Sequence, residues 1–144
     1  MVSNGFLSEK PLTDLLPWID AWNIDMKSWD PTFYRSICGA GRDDVLRTIE
    51  MAAKVSHVEL TNLVIPGEND DPRQMEEMAS WIASVDKDMP LHITRFFPRY
   101  RMVDRGPTPI STLVSLARIA RKHLTRVRIG NVSDEELLLH GWRN

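Results

Sequence analysis

Ala21-Trp22-Asn23-Ile24-Asp25-Met26-Lys27 is the stretch whose reading decides the fold. It has the length and apolar content of a short strand. Side chains alternate across a strand, so Trp22, Ile24 and Met26 take one face and Asn23, Asp25 and Lys27 the other. Two charges spaced i, i+2 in so apolar a strand admit two readings. One is a solvated outer face. The other is a ligand-facing pair at a strand end, because buried charge is costly unless paired or bound.

Outward from this strand, helical and extended patterns alternate. Met1–Asn4 reads as the end of a strand that turns at Gly5. Leu12, Leu15, Leu16 and Ile19 recur at helical spacing after Pro11, and Pro17 ends that helix early. Trp29–Ile37 reads as a short helix entered at Asp30-Pro31 and broken by Gly39-Ala40-Gly41. Asp43 or Asp44 caps a helix to about Lys54, and His57–Ile65 is a second clear strand stopped by Pro66-Gly67. Asp71-Pro72 opens a helix to about Ser84 with Met75, Met78, Ala79 and Ile82 on one face. Strand Leu91–Phe97, a helix from Thr108-Pro109 to about His123 and a strand Thr125–Ile129 follow. Gly130–Asn144 shows no plan beyond apolar Leu137–Leu139. The expected class is α/β, because strands alternating with helices argue for parallel strands and crossover helices.

A chain of 144 residues with 42% apolar and 26% charged residues has the composition of one globular domain or part of one. A net charge of −2 leaves no electrostatic footprint for nucleic acid. The apolar runs are too short for a membrane span, and Met1–Phe6 lacks the apolar core of a signal peptide. The single cysteine, Cys38, excludes an internal disulfide and fits a reducing compartment, so a cytoplasmic location is expected. Alone it cannot hold a four-thiolate cluster or a structural zinc, and a structural role is the expectation for it.

Polar residues gather at the C-terminal ends of the strands, where barrels and doubly wound sheets carry function. Asp25 and Lys27 are candidates for binding a charged ligand. Glu59 and Thr61 share a strand face with Leu63 and Ile65, which can cradle a flat apolar group or simply belong to the core. His92 reads as a satisfied strand histidine, and His57, His123 and His140 show no metal-ligand spacing. Asn62, on the opposite face, is expected to satisfy backbone groups. The tryptophans at 18, 22, 29, 81 and 142 are expected in the core. No phosphate loop, nucleophile elbow or His-Glu-x-x-His is present.

Four spaced motifs then agree in order: Val2-Ser3-Asn4-Gly5-Phe6, Asn23-Ile24-Asp25-Met26-Lys27, Leu63-Val64-Ile65-Pro66-Gly67 with Asn69-Asp70, and Leu91-His92-Ile93-Thr94-Arg95-Phe96-Phe97-Pro98. Together they resemble the second half of a radical SAM enzyme of the pyruvate formate-lyase activating type. The run Arg95–Pro98, Pro107-Thr108-Pro109 and Ile129-Gly130-Asn131-Val132 are similar in particular to the AmmeMemoRadiSam-system branch. The resemblance spans residues 2–132 and leaves 133–144 as a divergent tail. It implies a partial (βα)6 TIM-like barrel, of which these residues run from the end of strand three through strand six.

The same resemblance implies S-adenosylmethionine and a [4Fe–4S] cluster as cofactors of the parent family. It implies reductive cleavage of S-adenosylmethionine and hydrogen abstraction from a substrate, such as a glycine on a partner protein. Ser3, Asn4, Asp25 and Lys27 would face the methionine end of the cosubstrate, Thr61 would point inward, and Leu63 and Ile65 would border the adenosine. The family's Cys-x-x-x-Cys-x-x-Cys loop and Gly-Gly-Glu stretch have no counterpart here. Val2 stands where activating enzymes often carry an Asp before Thr-Asn-Gly, and Thr61 where an Arg is common. The expectation is therefore a fragment that is inactive alone. Two other readings stay open. One is a non-catalytic α/β binding or interaction module, associating through an exposed strand edge; the other is a small phosphate-binding half barrel.

Overall fold

A computed structural model describes residues 1–144. One sheet contains five parallel strands, β1 (Val2–Ser3), β2 (Ala21–Asp25), β3 (His57–Val64), β4 (Leu91–Arg95) and β5 (Val127–Gly130), and their spatial order is the chain order. Four strands would suffice for strands three to six of a barrel; β5 is one more. Because the order never reverses and parallel crossovers are right-handed, the connecting helices fall on one side of the sheet. The other side is left bare.

The burial of the strands follows this asymmetry. Trp22, Ile24 and Met26 from β2 and its extension, Val58, Leu60 and Val64 from β3, Leu91 and Ile93 from β4, and Val127 and Ile129 from β5 are all buried. Their alternates Asn23, Asp25, Glu59, Thr61, His92 and Thr94 remain half-exposed. The register confirms a common face for the second set, pairing Asn23 with Glu59, Asp25 with Thr61, and Thr61 with His92.

The helix layer is α1 (Glu9–Leu15), α2 (Pro31–Phe33), α3 (Arg42–Ala53), α4 (Pro72–Asp86), α5 (Ile110–Ala120) and α6 (Asp134–Leu139). α4 is built as its sequence implies. Pro72 occupies the first turn, the Asp71 side chain accepts from the Arg73 and Gln74 amides, and Met75, Met78, Ala79 and Ile82 are buried. Asp71→Ala is expected to lower the melting temperature at neutral pH. Those amides hold the Asp71 carboxyl below its ordinary range, so its contribution is present above that range and fades as the pH falls through it. A melting series from pH 7 to pH 3 reads this as convergence of variant and wild type.

Several boundaries differ from the sequence expectation, for local reasons. α1 starts before Pro11 and passes at Leu16–Trp18 into a 3-10 turn containing Pro17. Of its apolar set only Leu12 is buried. α2 is a single turn running into a π turn at Tyr34–Cys38, which Gly39 closes at φ 63°. α3 begins at Arg42 with no side-chain cap, leaving Asp43 and Asp44 inside its first turn. α5 starts at Ile110 because Thr108 is engaged elsewhere: its buried hydroxyl donates to the Val64 carbonyl and accepts from the Phe96 amide. Trp18 is the clear correction among the tryptophans, 83% exposed rather than in the core.

The C-terminal segment, without plan in the sequence, folds into the same core. Ser133 and Glu136 form a capping box that starts α6, and Leu137 and Trp142 are buried. The last side chain, Asn144, pairs with the outward backbone of edge strand β5. Its Oδ1 accepts from the Ile129 amide at 2.6 Å and its Nδ2 donates to the Ile129 carbonyl at 2.9 Å.

At the other edge, Gly5 has φ 71°, and a Cβ there would lie 2.7 Å from Ile24 Cγ2 and 3.0 Å from Val45 Cγ1. Gly5→Ala combines left-handed backbone with overpacking, and is expected to cost about 2–4 kcal/mol in chemical denaturation.

Candidate functional site

The bare sheet face is polar, and its most organised point is the C-terminal end of β2. Lys27 Nζ contacts Asp25 Oδ2 at 2.8 Å, with both side chains about one-third exposed (34% and 30%). The backbone carrying Lys27 is gripped by three buried side chains. Tyr34 Oη accepts from the Lys27 amide at 2.9 Å. Asn69 Nδ2 and Asn62 Nδ2 donate to the Lys27 carbonyl at 2.6 and 3.1 Å. Burial pushes the Tyr34 hydroxyl up to about 12, so it stays neutral.

Asn69 also ties this loop to β3. Its Oδ1 accepts from the Ile65 amide at 2.6 Å and its Nδ2 donates to the Leu63 carbonyl at 2.9 Å. The ends of β2 and β3 are thus locked together, and the ion pair stands on a fixed base, as a preorganised site requires. Asn62 serves backbone groups as expected, donating also to the Met26 carbonyl, while its Oδ1 has no partner.

The structure brings some of the sequence candidates together and separates others. Thr61 pairs in register with Asp25, and its hydroxyl donates to Asn23 Oδ1 at 2.9 Å. Asn4 is exposed at the end of β1, with its Oδ1 accepting from the Phe6 amide. Leu63 is half-buried on the bare face. Ser3 is in register with Ile24, hence on the helix-covered face, and its hydroxyl accepts from the Gly5 amide. Ile65 is buried in a small cluster with Phe33 and Phe96, against which Leu63 and Met102 pack. Tyr34 and Asn69 hold the site together, and reasoning from the sequence assigned neither that role. Asn69 had a signal, a turn-forming Asn just after Pro66-Gly67; Tyr34 had none.

Farther down the face, Glu59 accepts from His57 Nε2 at 3.1 Å and His92 Nε2 at 2.8 Å. These bonds, that from His57 first, hold the Glu59 carboxyl below its ordinary value of 4.5. A depressed carboxyl contributes stability above the unfolded value and loses it as pH falls through the folded one. The stability gap between wild type and Glu59→Gln is therefore expected at pH 7 and should shrink as the pH falls below 4.5 and through the lower folded-state value, measured by urea denaturation at each pH.

Cys38 ends the π turn, exposed, with partial burial raising its thiol above the usual range. No three His, Cys, Asp or Glu side chains converge in a way that could hold a metal ion. The donor set does not fit a [4Fe–4S] cluster, which takes several thiolates. No helix is long and apolar enough to cross a membrane.

No protein-family model matches the chain. It is 37% identical over 139 residues to an uncharacterized protein of Methanocaldococcus jannaschii, covering 94% of this chain and 41% of that protein. The chain thus spans about two fifths of the length of this curated relative. Among solved structures it superposes on a domain of pyruvate-formate lyase-activating enzyme from Bacteroides vulgatus with a TM-score of 0.74 at 17% identity, covering 90% of this chain and 79% of that domain. It also superposes on TYW1, solved with a lysine-pyruvate adduct bound, with a TM-score of 0.57 at 22% identity, covering 86% of this chain and 40% of that one. These likenesses show the fold. The chain has the α/β architecture of an activating-enzyme domain, and its parallel sheet is consistent with a partial barrel.

Proposed function

We propose that these residues supply the second half of a radical SAM core and bind the methionine end of S-adenosylmethionine through Asp25 and Lys27. The observation that carries the reading is the half-exposed ion pair at the C-terminal end of β2, its backbone gripped by Tyr34, Asn62 and Asn69. Support comes from the ordered motifs of the sequence and from the fold shared with an activating-enzyme domain.

The methionine end of the cosubstrate is a zwitterion. Asp25 offers a carboxylate to its ammonium group and Lys27 an ammonium to its carboxylate. Exchanging partners costs little, since an exposed ion pair contributes only about 0–1 kcal/mol. Asn4 and Thr61 flank the pair, and Leu63 presents apolar surface toward the adenosine. Ile65 backs that surface from within its cluster.

In this reading the cluster supplies the electron that cleaves the cosubstrate, and its thiolates come from outside these 144 residues. Anaerobic reconstitution with iron and sulfide is expected to yield no [4Fe–4S] absorption or EPR signal from this chain. Calorimetric titration with S-adenosylmethionine is expected to show binding that Asp25→Asn and Lys27→Met each weaken at least about tenfold, or about 1.4 kcal/mol. Binding indifferent to both substitutions would remove the assignment.

A second reading, a binding module without catalysis, is favoured by the sheet edge. β1 has only two residues, and Val2 is 80% exposed beside β2. In that case size exclusion over a range of concentrations would show self-association.

A further inference from the structure

A second polar site lies at the opposite ends of the strands. A cavity of about 420 Å³ opens where β4 and β5 begin, lined by Glu59, His92, Arg121, Thr125, Arg126 and Arg128 among others. Its volume falls in the range of small-ligand sites. Three guanidinium groups line it with one carboxylate, Glu59, already engaged by His57 and His92, and beside it a second carboxylate, Asp88, accepts from the Thr125 hydroxyl at 2.6 Å.

The three arginines are not equivalent. Arg121 is structural: its Nη2 donates to the Arg143 carbonyl at 2.8 Å, and its guanidinium lies 3.6 Å from the centre of the Trp142 ring. Arg126 and Arg128 alternate along the start of β5, so both point to the bare face. Neither side chain makes an ion pair or a hydrogen bond, and both are exposed. Two neighbouring like charges on one strand face repel, and a bound anion would relieve that repulsion.

We propose that this cavity binds a compact anion carrying two or more charges, of the pyrophosphate type, held by Arg126 and Arg128. Guanidinium forks match phosphoryl oxygens in pairs. Glu59 and Asp88 already have partners, so the two unpaired guanidinium groups are left to meet a multiply charged group, which suits them better than a monocarboxylate. The source can be the free anion or the diphosphate of a nucleotide, and both present the same oxygens. The site lies at the opposite strand ends from Asp25 and Lys27, so it does not depend on the cosubstrate reading.

Isothermal titration at low salt with inorganic pyrophosphate, ADP and citrate tests the assignment. Pyrophosphate is expected to bind, and Arg126→Gln/Arg128→Gln to weaken that binding at least tenfold with the melting temperature preserved. Arg99→Gln/Arg101→Gln, which removes the same charge from the exposed loop at the far rim, is expected to leave it unchanged. ADP binding as tightly as pyrophosphate would assign a nucleotide source, and ADP failing where pyrophosphate binds would assign the free anion. Absence of pyrophosphate binding, equal loss in both double variants, or tighter binding of citrate would overturn the proposal. Should the Arg126/Arg128 variant bind pyrophosphate normally but self-associate on size exclusion, the two arginines guard the β5 edge and the proposal also falls.

Discussion

Trp22→Ala is expected to destabilise the protein by about 4 kcal/mol, the middle of the range for truncating a large buried aromatic. Trp22 is 1% exposed and lies in β2, between β1 and β3, facing the helix layer. No small collapse of the helices can fill the volume its indole vacates, because Ile24 and Leu60 beside it are fully buried members of the same core. For a chain of 144 residues this corresponds to a fall in melting temperature of roughly 10–15 °C. The indole Nε1 of Trp22 has no hydrogen-bond partner, and a buried unpaired donor is itself a cost. Trp22→Phe removes that donor while keeping most of the apolar volume, so its expected cost is under about 1.5 kcal/mol. Urea denaturation of the two variants separates the contributions. Equal losses would mean that Trp22 is held by something other than packing.

Asn69→Ala should cost about 3 kcal/mol and should also loosen the rim. One side chain there serves three backbone groups: the Lys27 carbonyl, the Leu63 carbonyl and the Ile65 amide. Each orphaned buried group costs about 1–3 kcal/mol. Asn62 keeps a bond to the Lys27 carbonyl, so the sum falls toward the lower end. The second consequence separates a positioning role from a merely stabilising one. With the Lys27 carbonyl released, the Asp25–Lys27 pair loses its fixed base, and amide hydrogen exchange should accelerate at Lys27 and Ile65 while the centre of β4 stays protected. Uniform acceleration across the sheet would show that Asn69 contributes only global stability.

Much of this was legible in the chain. Ala21–Lys27 alternates apolar and polar side chains, and the structure buries Trp22, Ile24 and Met26 and leaves Asn23, Asp25 and Lys27 half-exposed. Asp71-Pro72 marks the start of α4 because the capping carboxylate and the proline act within one helical turn. The capping box Ser133–Glu136 is equally local and equally readable, within a stretch that otherwise has no periodic pattern. Trp18 shows the limit of composition. Its size argued for the core, but the 3-10 turn at Pro17 aims it at solvent.

What the sequence determined by itself is the alternation: which residues form strands and helices, which face of each strand is apolar, and that one cysteine cannot ligate a cluster. These follow from interactions within a few residues and from counting. Only the tertiary structure decided that Tyr34, Asn62 and Asn69 converge on the backbone of Lys27, that Ser3 turns away from Asp25, and that Arg126 and Arg128 share a cavity with His92. Those groups lie up to tens of residues apart. Their meeting is set by the register of neighbouring strands and by the crossover helices, and no pattern along the chain encodes a distance in space.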